Sequence, residues 1–140
     1  MITEDYCSFE IAKLLKEKGF DLKDGEVALY YNLEGGMEPY SAWVSANPND
    51  YYAMPTHQMA MKWLSIVKGI HIVVKPEFST EAEPRIDVFI GYSSEIYATE
   101  KAVLVEEITL KIEKDYGYVA YESYEEAVEA ACLYVLKNLI

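Results

Sequence analysis

Arginine is nearly missing from this chain of 140 residues. Arg85 is the single arginine among 12 basic residues, which stand against 24 acidic ones for a net charge of −12. Affinity for DNA or RNA that is independent of sequence comes from Lys and Arg neutralising phosphates, so direct nucleic-acid binding is not expected. Such acidity is typical of a solubility device, of a protein with a basic partner, or of a surface that imitates nucleic acid.

Cysteine and histidine are also scarce, with two of each. Cys7 and Cys132 lie far apart without a Cys-x-x-Cys spacing, so we expect two small buried side chains in a reducing compartment, a reactive or bridging thiol being the alternative. His57 and His71 flank a predicted helix that separates them by roughly 18 Å, too far to share one metal ion. One histidine alone falls short of the three or four ligands of a zinc site. No metal or cofactor is predicted.

Long apolar runs are missing, since none approaches the roughly 18 to 20 residues that span a bilayer. The opening "MITEDYCSFE" carries acids where a secretory signal has basic and then apolar residues. We therefore expect a cytoplasmic protein with no membrane partner. The chain has no internal repeat and no long linker, and its length predicts a single domain over 1–140 that needs no disulfide or metal to fold.

Recognisable catalytic motifs are missing as well. There is no Gly-x-Ser-x-Gly, His-Glu-x-x-His or glycine-rich phosphate loop, and "DLKDGE" lacks the spacing of a calcium loop. Glu106 and Glu107 are adjacent, which in a strand points them to opposite faces and not into an acid/base pair. His57 could serve as a general base only with an orienting partner and a nucleophile. It is kept as a candidate polar site, and no catalytic residue is assigned.

The first part of the chain predicts a helix, a strand and a long connection. "SFEIAKLLKEKGF" begins at the N-cap Ser8 and stops at Gly19, and "GEVALYY" reads as a strand. The connection from Asn32 to Pro55 is too long to be structureless in a compact domain, so we expect either hidden structure, such as a short strand around "SAWVS", or a function. The predicted buried stripe of the helix contains Cys7, Ile11, Leu14 and Leu15.

The second predicted helix follows Pro55, with Thr56 as its cap, and ends at Lys68. Its stretch "MPTHQMAMKWL" combines a histidine, methionines and a tryptophan, so it resembles a site at first. A helical wheel favours ordinary packing, with His57 at the edge of the buried stripe. The inward-facing residues are Ala60, Trp63, Leu64 and Val67.

The middle of the chain predicts strands. "IHIVVK" and "RIDVFIGY" should pair as an antiparallel hairpin across a loop bracketed by Pro76 and Pro84. From Ser93 to Tyr116 the pattern is ambiguous: "EEITLKIEK" alternates like a half-buried strand, yet its apolar residues also fit a helix spacing. "YGYVAY" predicts a further short strand.

The last helix, "SYEEAVEAACLYVLKNLI", opens with a capping box of Ser123 and Glu126. A core stripe of Tyr124, Val128, Ala131, Val135 and Leu139 follows. Leu133, Leu136 and Ile140 continue along another side, where either a further layer of the protein covers them or they form an apolar patch for a partner or a second copy.

Tyrosine is abundant, with 13 residues against four phenylalanines. Tyrosine is favoured where one end of a ring is buried and the other is wet, which suits an interface as well as strand edges. We place Tyr51 and Tyr52 with Leu133, Leu136 and Ile140 as candidate interface residues.

Three segments carry a resemblance to a known group: "SFEIAKLLKEKGF", "PTHQMAMKWLSIVKGIHI" and "YESYEEAVEAACLYVLKNLI". In this order they resemble a group of small proteins, of unassigned activity, encoded in phages, prophages and mobile elements of gut Bacteroidetes. The resemblance covers over a third of the chain. It implies a phage or mobile-element origin and a bacterial cytoplasm, and it brings no catalytic residue.

The expected fold class is α+β, a small and mainly antiparallel sheet with helices packed on one face. Its order is helix, strand, long loop, helix, three strands and helix. The part from Pro55 onward resembles the double-stranded RNA-binding domain, but the acidity argues against RNA. We therefore expect a non-enzymatic accessory protein that contacts a host or phage protein or forms a homo-oligomer. The alternatives are an inhibitor that imitates nucleic acid and a small enzyme using His57.

Overall fold

The computed structural model describes residues 5–20, 29–39, 48–82, 85–114 and 117–140. The chain divides into two compact units, one made of Met1–Trp63 with Cys132–Ile140 and the other of Leu64–Ala131. The predicted strand "GEVALYY" lies partly outside the described residues, and "DLKDGE" and "SAWVS" lie wholly outside them. The single domain over 1–140 stays a prediction.

Three α-helices occur in the described residues: α1 at Phe9–Glu17, α2 at His57–Lys68 and α3 at Tyr124–Asn138. Each begins with a side-chain oxygen that accepts a backbone N–H of the first turn, as the predicted caps require. The cap pairs are Ser8 with Ile11, Thr56 with Met59 and Ser123 with Glu126, at 3.4, 3.2 and 3.1 Å. The Glu126 carboxylate in turn accepts the N–H of Glu122 at 3.2 Å, one residue before the cap that the capping box predicted.

The first unit holds a three-stranded antiparallel sheet of β1 (Leu29–Asn32), β2 (Met37–Pro39) and β3 (Tyr51–Ala53), in the order β2-β1-β3. Asn32 closes the turn between β1 and β2, because its side-chain oxygen accepts the Gly36 N–H at 2.9 Å. A 3-10 turn, Pro48–Asp50, leads into β3. Of the two alternatives for the long connection, hidden structure is therefore present in its described residues.

The core of the first unit lies on α1 and on the tyrosines of its sheet. Ile11 and Leu15 are fully buried, and so are Cys7 and Cys132, as expected for small apolar side chains. The Tyr31 hydroxyl donates to the Cys7 carbonyl at 2.7 Å, which satisfies the polar end of a buried ring. Tyr30 and Tyr31, which are adjacent in the sequence, are thus both core residues.

The second unit contains the longest strands: β4 (Ile70–Ala82), β5 (Arg85–Glu100) and β6 (Val103–Leu110), antiparallel in the order β4-β5-β6. A two-stranded ribbon follows, of β7 (Ile112–Lys114) and β8 (Gly117–Val119). The strand interpretation of "EEITLKIEK" is confirmed over the helical one, but the stretch is divided at Lys111 between β6 and β7. Buried side chains of this unit include Leu64, Ile70, Ile96, Ala127 and Val128.

Three predictions about this part of the chain are wrong. Pro76 does not open a loop but lies inside β4, paired with Tyr92. Val67 was assigned to the buried stripe of α2 and is 53% exposed, and Tyr124 was assigned to the core stripe of α3 and is 42% exposed.

The α+β class with antiparallel pairing is confirmed, and so is the order of helix, three strands and helix after residue 55, with the β7–β8 ribbon added. The described strands fall into two three-stranded sheets and the ribbon, whereas the sequence predicted one sheet.

Candidate protein-contact surface

His57, the candidate polar site, is 6% exposed at the start of α2. Its backbone N–H donates to the Asp5 carbonyl at 2.9 Å, and the Cys7 N–H donates to the Pro55 carbonyl at the same distance. The chain before α1 is thus held against the start of α2 by backbone hydrogen bonds. The stretch around His57 therefore has a structural role, which is to anchor the residues before α1.

His71 lies on β4, where its Nδ1 is 2.8 Å from the Ser65 hydroxyl. Among the described residues, no three His, Cys, Asp or Glu side chains come together as a set that could hold a metal ion.

Two of the five candidate interface residues are covered within the chain. Leu136 is 1% exposed and Tyr51 is 6% exposed. Tyr52 contacts the Phe9 ring edge-on at 5.7 Å between centroids, and it is half-buried, as Leu133 and Ile140 are. For Leu136, a further layer of the protein is the correct alternative. Contact with a partner at the remaining residues stays a prediction.

A polar network lies on β4 and β5. The Lys75 ammonium is 2.7 Å from the Glu95 carboxylate, which also accepts a hydrogen bond from the Tyr97 hydroxyl. The hydrogen bond to Glu95, with burial and the Glu95 charge, raises the pKa of Tyr97 to about 12. Hydrogen bonds from Lys75 and then Tyr97 lower the pKa of Glu95. Because Tyr97 holds its proton and Glu95 releases it, neither group is suited to exchange a proton near neutral pH.

Two adjacent serines of β5 differ in how their hydroxyls are satisfied. Ser93 and Ser94 are both fully buried. The Ser93 hydroxyl donates to the Glu77 carboxylate, whereas the Ser94 hydroxyl has no hydrogen-bond partner among the described residues. A buried hydroxyl without a partner is destabilising, because it loses its hydrogen bonds to water.

We expect Ser94→Ala to leave the free energy of unfolding unchanged or to raise it by up to about 1 kcal/mol, because it removes an unsatisfied hydroxyl. The matched variant Ser93→Ala should lower it by about 1 to 2 kcal/mol, since it leaves the Glu77 carboxylate short of a donor. Urea unfolding of both variants measures the difference. Equal losses in the two variants would contradict this account.

The far end of the β4–β5 hairpin forms an arm, which we define as residues 78–82 and 85–90. Strand β6 pairs with Ser94–Glu100 of β5, so no third described strand pairs with the arm. At its base Glu77 pairs with Gly91 and Phe78 with Phe89, which makes Ile90 the extra residue of a β-bulge.

Both faces of the arm carry exposed apolar side chains. On one face the Phe78 and Phe89 rings meet edge-on at 6.0 Å. Because side chains alternate along a strand, Ile86 and Val88 lie on the opposite face. The exposed fractions of Phe78, Ile86, Val88, Phe89 and Ile90 are 56, 51, 39, 49 and 45%. Contiguous exposed apolar side chains of this kind mark contact surfaces.

The base of the arm is fixed by backbone contacts. The Tyr92 N–H donates to the Tyr121 carbonyl at 2.8 Å, and the Tyr121 N–H donates back to the Tyr92 carbonyl at 2.7 Å. Gly91, at φ +138°, permits this close approach. An aromatic series from Phe89 through Tyr92 to Tyr124, with centroid distances of 5.2 and 5.8 Å, continues from the arm to the start of α3.

A second exposed apolar segment lies at the β5–β6 turn. Val103, Leu104 and Val105 are 63, 53 and 59% exposed. Lys101 and Ala102 form the turn with φ of 48° and 63°, a left-handed conformation more usual for Asn and Gly. Three side chains at one strand end form a smaller surface than the five of the arm.

Comparisons with protein-family models, with curated proteins and with solved structures give no match. None of the helices in the described residues is long and apolar enough to cross a membrane. The case for a function therefore rests on this chain's own surface.

The arm was not singled out from sequence. A signal was present, because "DVFIG" places apolar residues at consecutive positions, and a strand with one face in solvent alternates instead. Apolar residues on both faces are also the pattern of a fully buried strand, so the exposure of the arm could not be read from the letters.

Proposed function

We propose that this chain is a non-enzymatic accessory protein of a phage or mobile element, and that it acts in the cytoplasm by contact with another protein. The arm is its contact surface. One observation carries the proposal, namely the five large apolar side chains that the arm exposes to solvent. The phage or mobile-element origin rests on the resemblance of the three segments and not on the surface.

The physical reason for a contact is the instability of an uncovered arm. A two-stranded hairpin alone is marginally stable in water. Here it also leaves phenylalanine and branched aliphatic side chains half exposed, and covering them contributes about 25 cal/mol per Å² of apolar area. Apolar area that a partner covers on the arm therefore stabilises both the complex and the fold of the arm.

The net charge of −12 also bears on the partner. Complementary charge raises association rates and suppresses contacts with like-charged surfaces. The same charge opposes contact with another acidic chain, a second copy included, and salt screens this repulsion.

The test is affinity capture from host lysate with wild-type bait and two variants. Phe89→Ser removes an arm ring that is 49% exposed, and Ile66→Ser removes an apolar side chain of α2 that is 71% exposed, as a matched control. A central apolar anchor typically contributes 2 kcal/mol or more to binding, so the recovered partner should fall at least about tenfold with Phe89→Ser.

The control should recover the partner at the wild-type level, and far-UV circular dichroism should show that both variants are folded. If the wild type and Phe89→Ser recover the partner equally, the arm is not the contact surface. Loss with Ile66→Ser but not with Phe89→Ser would move the surface to α2.

A further inference from the structure

The outer edge of β5 is open along the arm. On one side of residues 85–90 lies β4, and on the other side no described strand pairs with them. Their backbone N–H and C=O groups on that side can therefore pair with an added strand. All six residues are exposed, so such a strand could approach the edge.

The sequence of this edge is self-complementary. In "RIDVFIG", Ile86, Val88 and Ile90 are spaced symmetrically about Val88. An antiparallel pairing of two copies around a two-fold axis at Val88 sets Val88 opposite Val88 and Ile86 opposite Ile90 of the second copy. Directly opposed side chains of an antiparallel pair lie side by side, so this register brings the aliphatic side chains of the two edges together around Val88, with the bulge residue Ile90 at each end.

Charge favours the same register. With the axis at Val88, Asp87 lies opposite Phe89 and Arg85 lies opposite Gly91, so no like charges are opposed. Moving the axis by one residue to Asp87 sets two aspartates directly against each other, which is destabilising.

The edge of β6 is a poorer candidate for pairing with a second copy. Glu106 and Glu107 lie in the middle of Val103–Leu110. Pairing along the full strand puts the two-fold axis between them, so that Glu106 of each copy faces Glu107 of the other, and these like charges repel.

The apolar area of the arm suits a modest dimer. Of the five exposed apolar side chains, only Ile86, Val88 and Ile90 lie in the paired row. With the paired backbone they provide less than the roughly 800 Å² that a standard interface takes from each partner, so the dimer belongs to the small, weak class of contacts.

We infer that the arm binds the arm of a second copy of this chain, through antiparallel pairing of the two β5 edges with Val88 at the two-fold axis. This inference rests on the proposed function, because it takes the arm as a protein-contact surface and names its occupant. The resulting arm sheet has the strand order β4-β5-β5-β4 and sets Ile86, Val88 and Ile90 of the two copies side by side.

The test combines sedimentation with cross-linking of the full chain. The wild type should change from monomer to dimer over about a hundredfold range of concentration. Val88→Lys places two ammonium groups together at the axis and should weaken the dimer about a hundredfold. Val73→Lys, at a position of β4 that is 47% exposed and outside the arm, adds the same charge and should leave the dimer intact.

Cysteine variants test the register without an added charge. Val88→Cys should form a disulfide-linked dimer under mild oxidation, because opposed Cβ atoms lie within bonding reach. Ile86→Cys should not, since positions 86 of the two copies lie about 13 Å apart in this register. The native Cys7 and Cys132 are fully buried, so they should give little background.

The outcomes separate this inference from the proposed function. A wild type that is monomeric throughout the range overturns the inference, and so does a dimer that survives Val88→Lys and does not link through Val88→Cys. If the chain is monomeric yet Phe89→Ser loses a captured protein, the proposed function stands with another occupant. If Phe89→Ser captures the same protein as the wild type and Val88→Lys dimerises as the wild type does, both the proposed function and this inference are wrong.

Discussion

Gly91→Ala is expected to lower the free energy of unfolding by about 3 to 5 kcal/mol, from backbone strain and overpacking together. At φ +138° the backbone at this position has a conformation that L side chains rarely adopt. An added Cβ would also overlap the Tyr121 carbonyl oxygen and lie 2.9 Å from the Ala120 Cβ. Relief requires the strand to separate from Tyr121, which breaks the paired hydrogen bonds between Tyr92 and Tyr121.

Gly19→Ala is the matched control, because it separates strain from overlap. Gly19 has φ +103°, but an added Cβ there meets nothing within 4 Å. Its cost should be only the strain, about 1 to 2 kcal/mol. Urea unfolding measures both variants, and similar losses for the two would contradict the close approach of Gly91 to Tyr121.

Leu136→Ala is expected to cost about 2 to 5 kcal/mol of unfolding free energy, the range for a truncated leucine in a packed core. The sequence left two alternatives for this residue, a covering layer or a surface patch. The structure leaves 1% of Leu136 exposed, so the truncation must open a cavity.

Leu133→Ala provides the comparison on the same helix. Leu133 is half-buried, and its truncation should cost clearly less than that of Leu136, at about 1 to 2 kcal/mol. Thermal or urea unfolding decides between the alternatives. A Leu136→Ala loss below about 1 kcal/mol would mean that Leu136 behaves as a surface residue.

Helix starts were predictable because their chemistry is local. Ser8, Thr56 and Ser123 each satisfy an N–H three residues further on, and a hydroxyl before an apolar periodic run signals that bond in the sequence itself. The alternation of residues 108–113 predicted a strand for a similar reason, and these residues form the end of β6 and the start of β7.

Features that depend on neighbouring elements were not predictable. Pro76 was read as a break because it lacks a backbone N–H, but β4 is an edge strand, where one side makes no ladder hydrogen bonds and a proline can fit. Leu136 was placed outside the core stripe because a helical wheel does not show how many sides of a helix are covered. Val67 and Tyr124 were assigned to the core by the same reasoning and are exposed.

The structure points to other residues for a contact surface than the sequence did. The sequence supported protein contact over catalysis, and its candidates were tyrosines and the leucines of the last helix. Tyr51 and Leu136 are covered within the chain, whereas the arm carries five exposed large apolar side chains. The arm depends on the end of β6 pairing at Ser94, and no local pattern in the sequence determines where a strand loses its neighbour.

Hydrogen exchange along β5 tests the account most directly. The outer edge of residues 85–90 has unpaired amides unless another strand covers it. We predict that exchange of these amides slows when the wild type is concentrated, and that it stays fast in Val88→Lys at the same concentration. Amides of Ser94–Glu100, which pair within the chain, serve as the internal reference. Fast exchange of the arm at every concentration, both with the wild-type chain alone and with captured protein added, would contradict the claim that the arm is a protein-contact surface.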